Sequence, residues 1–265
     1  MGKGGIENRV QQRQAEVSPF NADLRVGGFY DSRVGSTSGA GDDQSGTGMA
    51  TTLNAGWQAP MEGNMGLRMD YSGYADFHQV KGENLDQYDV IDQSVSLEPQ
   101  YNNGPFVYSL PISFNYAMEA GKRDYQRYSV APTVTYLIPE TSQAVALYGI
   151  AALIDDRDDV DTDEDGDSLG GGCAYLYFFQ NQSRVRFSLD YQHTDYDARL
   201  SEYDMNPQHT DERSDNMVVA GLDMVYQLTS HVGLYTNYSF IHANSNVDRY
   251  EYNRHVVEGG VALKF

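Results

Sequence analysis

The sequence predicts an all-β protein: a closed antiparallel transmembrane β-barrel of about 12 strands, with short turns at one end and long loops at the other. Three observations carry that prediction. Segment after segment alternates apolar and polar residues with a period of two, the signature of strands whose faces meet different surroundings. The connections between these segments alternate short and long. The composition joins 21 Tyr and 10 Phe to a formal net charge of -20 and a mean hydropathy of -0.56, a heavy aromatic load for a soluble acidic domain. No apolar run approaches the ~18 residues of a spanning helix, which excludes a helical membrane protein. A barrel alternates its apolar residues with polar lumen residues, so its strands never register as hydrophobic blocks.

In chain order the strands are expected at about 22 to 32, 48 to 59, 64 to 76, 90 to 101, 106 to 118, 125 to 138, 143 to 154, 171 to 181, 184 to 192, 216 to 228, 231 to 242 and 254 to 265. The fifth is the clearest: Phe106, Tyr108, Leu110, Ile112, Phe114, Tyr116 and Met118 share one face, and Val107, Ser109, Pro111, Ser113, Asn115 and Ala117 the other. In the ninth, Val185, Phe187, Leu189 and Tyr191 oppose Arg184, Arg186, Ser188, Asp190 and Gln192. The sixth (Tyr128, Val130, Pro132, Val134, Tyr136) and tenth (Val218, Ala220, Leu222, Met224, Tyr226) alternate well. The seventh and eighth are apolar on both faces, so their orientation stays open. Pro111 and Pro132 each remove a ladder donor, and a bulge is expected at both.

The even connections are short and turn-like, such as Asn102-Asn103-Gly104-Pro105 and Pro139-Glu140-Thr141-Ser142, while the odd ones, about 33 to 47, 77 to 89, 119 to 124, 155 to 170, 195 to 215 and 243 to 253, are mostly longer. Short periplasmic turns and long outer loops are the rule for such barrels, which places both termini on the periplasmic side. Residues 1–20 are polar and without strand pattern, and are expected to be a periplasmic tail or a short lumen plug; residues 21–265 form the barrel. Cys173 stands alone, so no intramolecular disulfide and no cysteine metal site can form. The opening Met-Gly-Lys-Gly-Gly lacks the regions of a secretory signal, and a mature form with its export signal removed is expected.

The chain ends Glu258-Gly259-Gly260-Val261-Ala262-Leu263-Lys264-Phe265. Its polar-x-Gly-x-x-apolar-x-aromatic pattern, at Glu258, Gly260, Leu263 and Phe265, resembles the terminal signal that the barrel-assembly machinery reads. Over about residues 22 to 265 the chain resembles the porin-like outer-membrane barrels of Gram-negative bacteria. Arg186-Phe187-Ser188-Leu189-Asp190-Tyr191, Asp195-Tyr196-Asp197 and Tyr250-Glu251-Tyr252-Asn253-Arg254-His255 also resemble barrels that follow tetratricopeptide repeats in export proteins. The resemblance implies a bacterial outer-membrane location, with outer-membrane lipid, lipopolysaccharide and the barrel-assembly machinery as partners. It implies no nucleic acid.

If the apolar faces meet lipid, the inward set includes Arg25, Arg68, Asp70, Glu98, Arg127, Arg184, Arg186, Asp190, Asp223, Glu258 and Lys264, carrying both signs of charge. Such a lumen suits a porin-like channel for ions or small polar solutes, or the barrel part of an export protein. The alternative is a closed structural or interaction barrel with acidic surface loops. In the run from Asp155 to Asp167, Asp161, Asp163, Asp165 and Gly166 match the opening of a calcium loop, with Asp167 following. The match fails at position twelve, Gly172. A solvated acidic loop or a weak calcium site both fit, and no other cofactor is indicated. The pairs Asp76 with His78 and His193 with Asp195 imitate half of an outer-rim barrel hydrolase, without a second carboxylate pair, so the protein is not expected to be an enzyme.

Overall fold

The structure is a computed structural model, describing residues 19–34, 44–59, 63–80, 83–84, 89–119, 122–156, 165–199, 212–247 and 250–265. Its strands are β1 Phe20–Val34, β2 Gln44–Ala59, β3 Met65–Val80, β4 Val90–Asn103, β5 in two segments (Phe106–Ser109 and Ile112–Glu119), β6 in two segments (Lys122–Val130 and Thr133–Ile138), β7 Gln143–Asp156, β8 Gly166–Phe178, β9 Arg184–Arg199, β10 Glu212–Gln227, β11 Val232–Ser245 and β12 Tyr252–Lys264. A two-residue piece, Glu83–Asn84, extends the outer end of β3. Each strand pairs antiparallel with the next, and β1 pairs with β12 from Asp23↔Lys264 to Asp31↔Val256. The sheet is closed: twelve antiparallel strands with no free edge. Closure satisfies the backbone groups that an open sheet would leave unpaired.

Several strands run further toward the long-loop end than the alternation suggests. There both faces turn polar, so the amphipathic signal fades while the ladder continues. The expected bulges at Pro111 and Pro132 are absent. Pairs on either side of the first break, Gln100↔Ser109 and Leu97↔Ile112, keep step, as do Ala151↔Val130 and Tyr148↔Thr133 around the second. A proline lacks only the donor. Its carbonyl still accepts, from Ala131 N–H to Pro111 at 2.9 Å and from Gly149 N–H to Pro132 at 3.1 Å, so each strand is interrupted without slipping.

Register settles the two strands whose faces the sequence leaves open. Leu147 and Leu153 pair with Val134 and Tyr128 on the outward face, and each is 60% exposed. Leu169, Phe187 and Leu189 continue that apolar exterior. At the short-turn end Phe20, Tyr101, Phe106, Tyr136 and Tyr226 are exposed, with Phe106 and Tyr136 rings 5.1 Å apart. Aromatic girdles of this kind suit the interface between bilayer core and water.

The packed interior is the lumen, where small residues lie under long ones. Phe29 on β1 crosses Gly48 on β2 to meet His78 on β3 edge-on at 4.9 Å; a Cβ on Gly48 would sit 2.5 Å from the Phe29 ring. Tyr148 on β7 passes over Gly172 on β8 to donate to Asp190 on β9, and a Cβ there would be 2.9 Å from its ring. Both glycines are needed, because the cross-strand carbonyls of Phe77, at 2.1 Å, and Leu189, at 2.6 Å, crowd the side-chain space together with the ring.

Candidate functional site

Inward-facing charges form two belts. The belt nearer the short turns centres on Asp223. Arg25 Nη1 donates to Asp223 Oδ2 at 2.9 Å, Arg184 Nε lies 3.7 Å from its other oxygen, and Arg186 is its cross-strand partner. Arg25 also lies 3.4 Å from Asp23 and 5.4 Å from the Tyr235 ring centroid. Tyr235 donates to Glu258 at 2.5 Å. On the facing strands Arg68 donates to Asp70 at 2.9 Å, and Glu98 accepts from Gln100 at 3.1 Å. Further up, Arg127 reaches from β6 to Gln192 on β9 at 3.0 Å, and Gln192 donates to Thr194 at 3.2 Å. These bonds run along the wall, joining groups on the same strand or on strands up to three apart.

The second belt lies toward the long loops; of its members only Asp76 and His78 were singled out from the sequence, as half of an outer-rim pair and not as part of the lumen. Arg254 grips Asp31 through Nε, at 3.1 and 3.0 Å, and Nη2, at 2.5 Å. Asp31 is 1% exposed. Asp76 accepts from the Tyr74 hydroxyl at 3.1 Å and from Val90 N–H at 3.0 Å, with His78 Nδ1 at 3.5 Å. Arg213 pairs with Asp215 at 2.5 Å, its guanidinium 4.2 Å from the Tyr196 ring and 3.3 Å from that of Tyr250. Strand parity could have found Asp31, Asp76 and Arg254, which share faces with Arg25, Arg68 and Glu258. Arg213 and Asp215 precede the alternating part of β10, so no such signal marks them. Buried ion pairs hold their shape because separating one strands a charge in a poorly solvated place.

The structure brings Arg25 and Arg184 to Asp223, with Arg186 opposite Asp223 in register and its side chain on Tyr148; Arg68 and Asp70 form a separate pair across from Glu98, and Asp190 bonds Tyr148. Of the calcium-loop residues, Asp161 and Asp163 lie outside the described residues, as do residues 1–18. Asp167 faces outward opposite Asp195, and Asp165 accepts the Asp197 N–H through its carbonyl at 2.8 Å. No group of three ligating side chains suited to a metal occurs among the described residues. His193 lies 3.2 Å from Asp195 on the outer face, whereas Asp76 and His78 face the lumen. Among the described residues, neither ring has a hydroxyl or thiol nucleophile as a hydrogen-bond partner.

At the chain terminus, Lys264 N–H donates to His231 O at 2.8 Å and Phe265 N–H to Ala22 O at 2.9 Å, tying the last residues to both neighbouring strands. Glu258 and Gly260 face the lumen, Leu263 pairs with Leu24 on the outward face, and Phe265 is 73% exposed.

No family model matches the sequence, and no curated protein matches it. Similar solved structures include an anion-selective porin from Comamonas acidovorans, 10% identical over 93% of this chain and 98% of that one, with a TM-score of 0.45. The NanC porin is 9% identical over 92% of this chain and 100% of that one, at 0.49. The outer membrane phospholipase A from Escherichia coli is 12% identical over 91% of this chain and 89% of that one, also at 0.49. Channels and an enzyme share that level of likeness, which leaves function to the chemistry of the barrel's two faces. In its architecture the chain is a closed β-barrel of twelve antiparallel strands, with an apolar exterior that carries aromatic residues at its ends and a charged interior, the two-faced build of a transmembrane barrel.

Proposed function

We propose that the protein sits in the bacterial outer membrane as a channel for ions or small polar solutes. The observation that carries this reading is the opposition of the two faces: an exterior of exposed Leu, Val, Phe and Tyr around an interior lined by Arg25, Arg68, Asp70, Glu98, Arg127, Arg184, Arg186, Asp190, Asp223 and Glu258. Water and ions tolerate the second and lipid the first. Because the named pairs lie along the wall, the interior offers groups of both signs at several heights, which suits multi-site passage of small polar species. In the barrel of an export protein the same lumen would take an extended polypeptide instead.

A second reading has its own observation. Asp31, Asp76, His78 and Arg213 of the outer belt are all less than a tenth exposed, which favours a narrow or closed outer half and so a structural or interaction barrel. Single-channel recording in planar bilayers decides between them. Discrete conductance steps are expected, with a reversal potential in a salt gradient that moves toward anion preference in Asp223→Asn, since Arg25 and Arg184 lose their counter-charge. A folded, inserted barrel giving no steps would leave the closed reading standing.

A further inference from the structure

Two rows of uncharged polar side chains run side by side across the lumen face of β2 to β6. In the first, Asn54, Ser72, Ser94 and Asn115 stand in register on β2, β3, β4 and β5. In the second, Ser96, Ser113 and Ser129 do the same on β4, β5 and β6. Beyond Ala152 on β7 this row continues to Ser168 on β8 and Thr194 on β9. Neighbouring members are one strand spacing apart, about 4.8 Å. Because the strands of a barrel tilt, rows that cross them squarely wind up the wall.

Most hydroxyls of these rows are open. Ser72 donates to Asn54 Oδ1 at 2.8 Å, and Asn115 bonds Asp92. The half-buried Ser94, Ser96, Ser113 and Ser129 have no side-chain hydrogen-bond partner among the described residues. Ser168 is 4% exposed, and among the described residues its Oγ has none either. A hydroxyl buried that deeply is costly to leave unpaired, which points to a partner entering from the lumen. Two bridges bound the rows toward the long loops. Tyr125 on β6 donates to Asp92 on β4 at 3.3 Å, crossing β5 where Ala117, opposite Asp92, is 1% exposed; Arg127 reaches Gln192 on β9.

We propose that this part of the lumen wall is a subsite for neutral sugars, which pass along the two rows by exchanging one hydroxyl contact for the next. The inference rests on the channel reading above. A serine hydroxyl gives one donor and two acceptor lone pairs and turns to suit its partner. Each hydroxyl of a sugar does the same, so both sides of the contact are satisfied at every step along a row. Repeated, uncharged contacts hold a solute weakly at several places, which suits passage. Charged solutes find stronger partners in Arg25, Arg184 and Asp223 on β1, β9 and β10. A solute of similar size with few hydroxyls displaces water from the serines without replacing its hydrogen bonds, and is disfavoured for that reason.

The test is block of the ion current through single barrels in planar bilayers by D-glucose and by tetraethylene glycol, a neutral solute of similar mass with hydroxyls only at its ends. Wild type is expected to be half-blocked by glucose at about a five-fold lower concentration than by the glycol. In the Ser96→Ala/Ser113→Ala/Ser129→Ala variant the two concentrations become equal while the conductance steps remain. Ser109→Ala, in the lumen wall outside both rows, keeps the difference. Heat-modifiable electrophoretic migration shows which variants are folded barrels. If the triple variant does not fold, Ser113→Ala and Ser129→Ala carry the same comparison singly, each lowering the difference about two-fold. Equal block in wild type, a difference that survives these substitutions, or its loss in Ser109→Ala would each overturn the inference. Steps without a preference for glucose defeat this inference alone, whereas a folded, inserted barrel that gives no steps defeats the channel reading and this one with it.

Discussion

Leu110 and Ser113 illustrate how much one residue's parity decides. They sit three apart in β5 and point to opposite sides of the wall, Leu110 exposed on the apolar exterior and Ser113 in register with Ser96 and Ser129 on the inner face. Leu110 is four residues above the short-turn end of its strand, about 10 Å up and near the middle of the apolar band. Leu110→Arg should cost ~2 to 4 kcal/mol there, while Ser113→Arg, placed in the lumen, should be far milder. Chemical unfolding from liposomes measures both, and equal losses would reverse the orientation of the strand. Parity was legible in the residues because alternation is a local property. Partner choice was not: Arg25 and Asp223 are 198 positions apart, and nothing in either neighbourhood points to the other.

Among the elements, β12 has two tasks. It closes the sheet against β1, and it ends on the pattern formed by Glu258, Gly260, Leu263 and Phe265. Gly260 has a packing reason of its own, since a Cβ there would come within 2.1 Å of the Val26 carbonyl oxygen. Phe265 is largely exposed and has little packing to lose within the folded barrel, so the assembly reading of the terminal pattern makes a distinct prediction for it. Deleting Phe265 should therefore impair insertion in cells much more than refolding in detergent, as judged by the heat-modifiable band in each setting. Equal effects in the two settings would reduce the residue to a structural one. The element scale is also where sequence reasoning overreached. Pro111 and Pro132 signalled bulges, but the signal reports only a missing donor, and whether the ladder slips depends on neighbouring strands that hold the register on either side.

At the scale of the whole molecule, charge is unevenly placed. In the described lumen Asp23, Asp31, Asp70, Asp215 and Asp223 are paired with arginines, while the run from Asp155 to Asp167 holds nine carboxylates and one arginine. If the channel conducts, those acids should concentrate cations at its outer mouth. Replacing them with Asn and Gln should lower cation over anion preference most at low ionic strength, because at ~0.1 M salt the Debye length is only ~10 Å. Reversal potentials of parent and neutralised loop at two salt levels measure this. An unchanged value at both would assign selectivity to lumen residues such as Arg68, Asp70 and Asp190.

By itself the sequence determined that this is a twelve-stranded barrel, which residues face outward on its clear strands, and at which end the turns are short, because each follows from period-two alternation and turn chemistry within a few neighbouring residues. Only the tertiary structure decided the faces of β7 and β8, the belt of Asp31, Asp76, Arg213 and Arg254, and the grouping of Arg25 and Arg184 around Asp223. Those depend on which strands closure and register bring side by side, and a register is set by all the ladders of the barrel together rather than by any one strand.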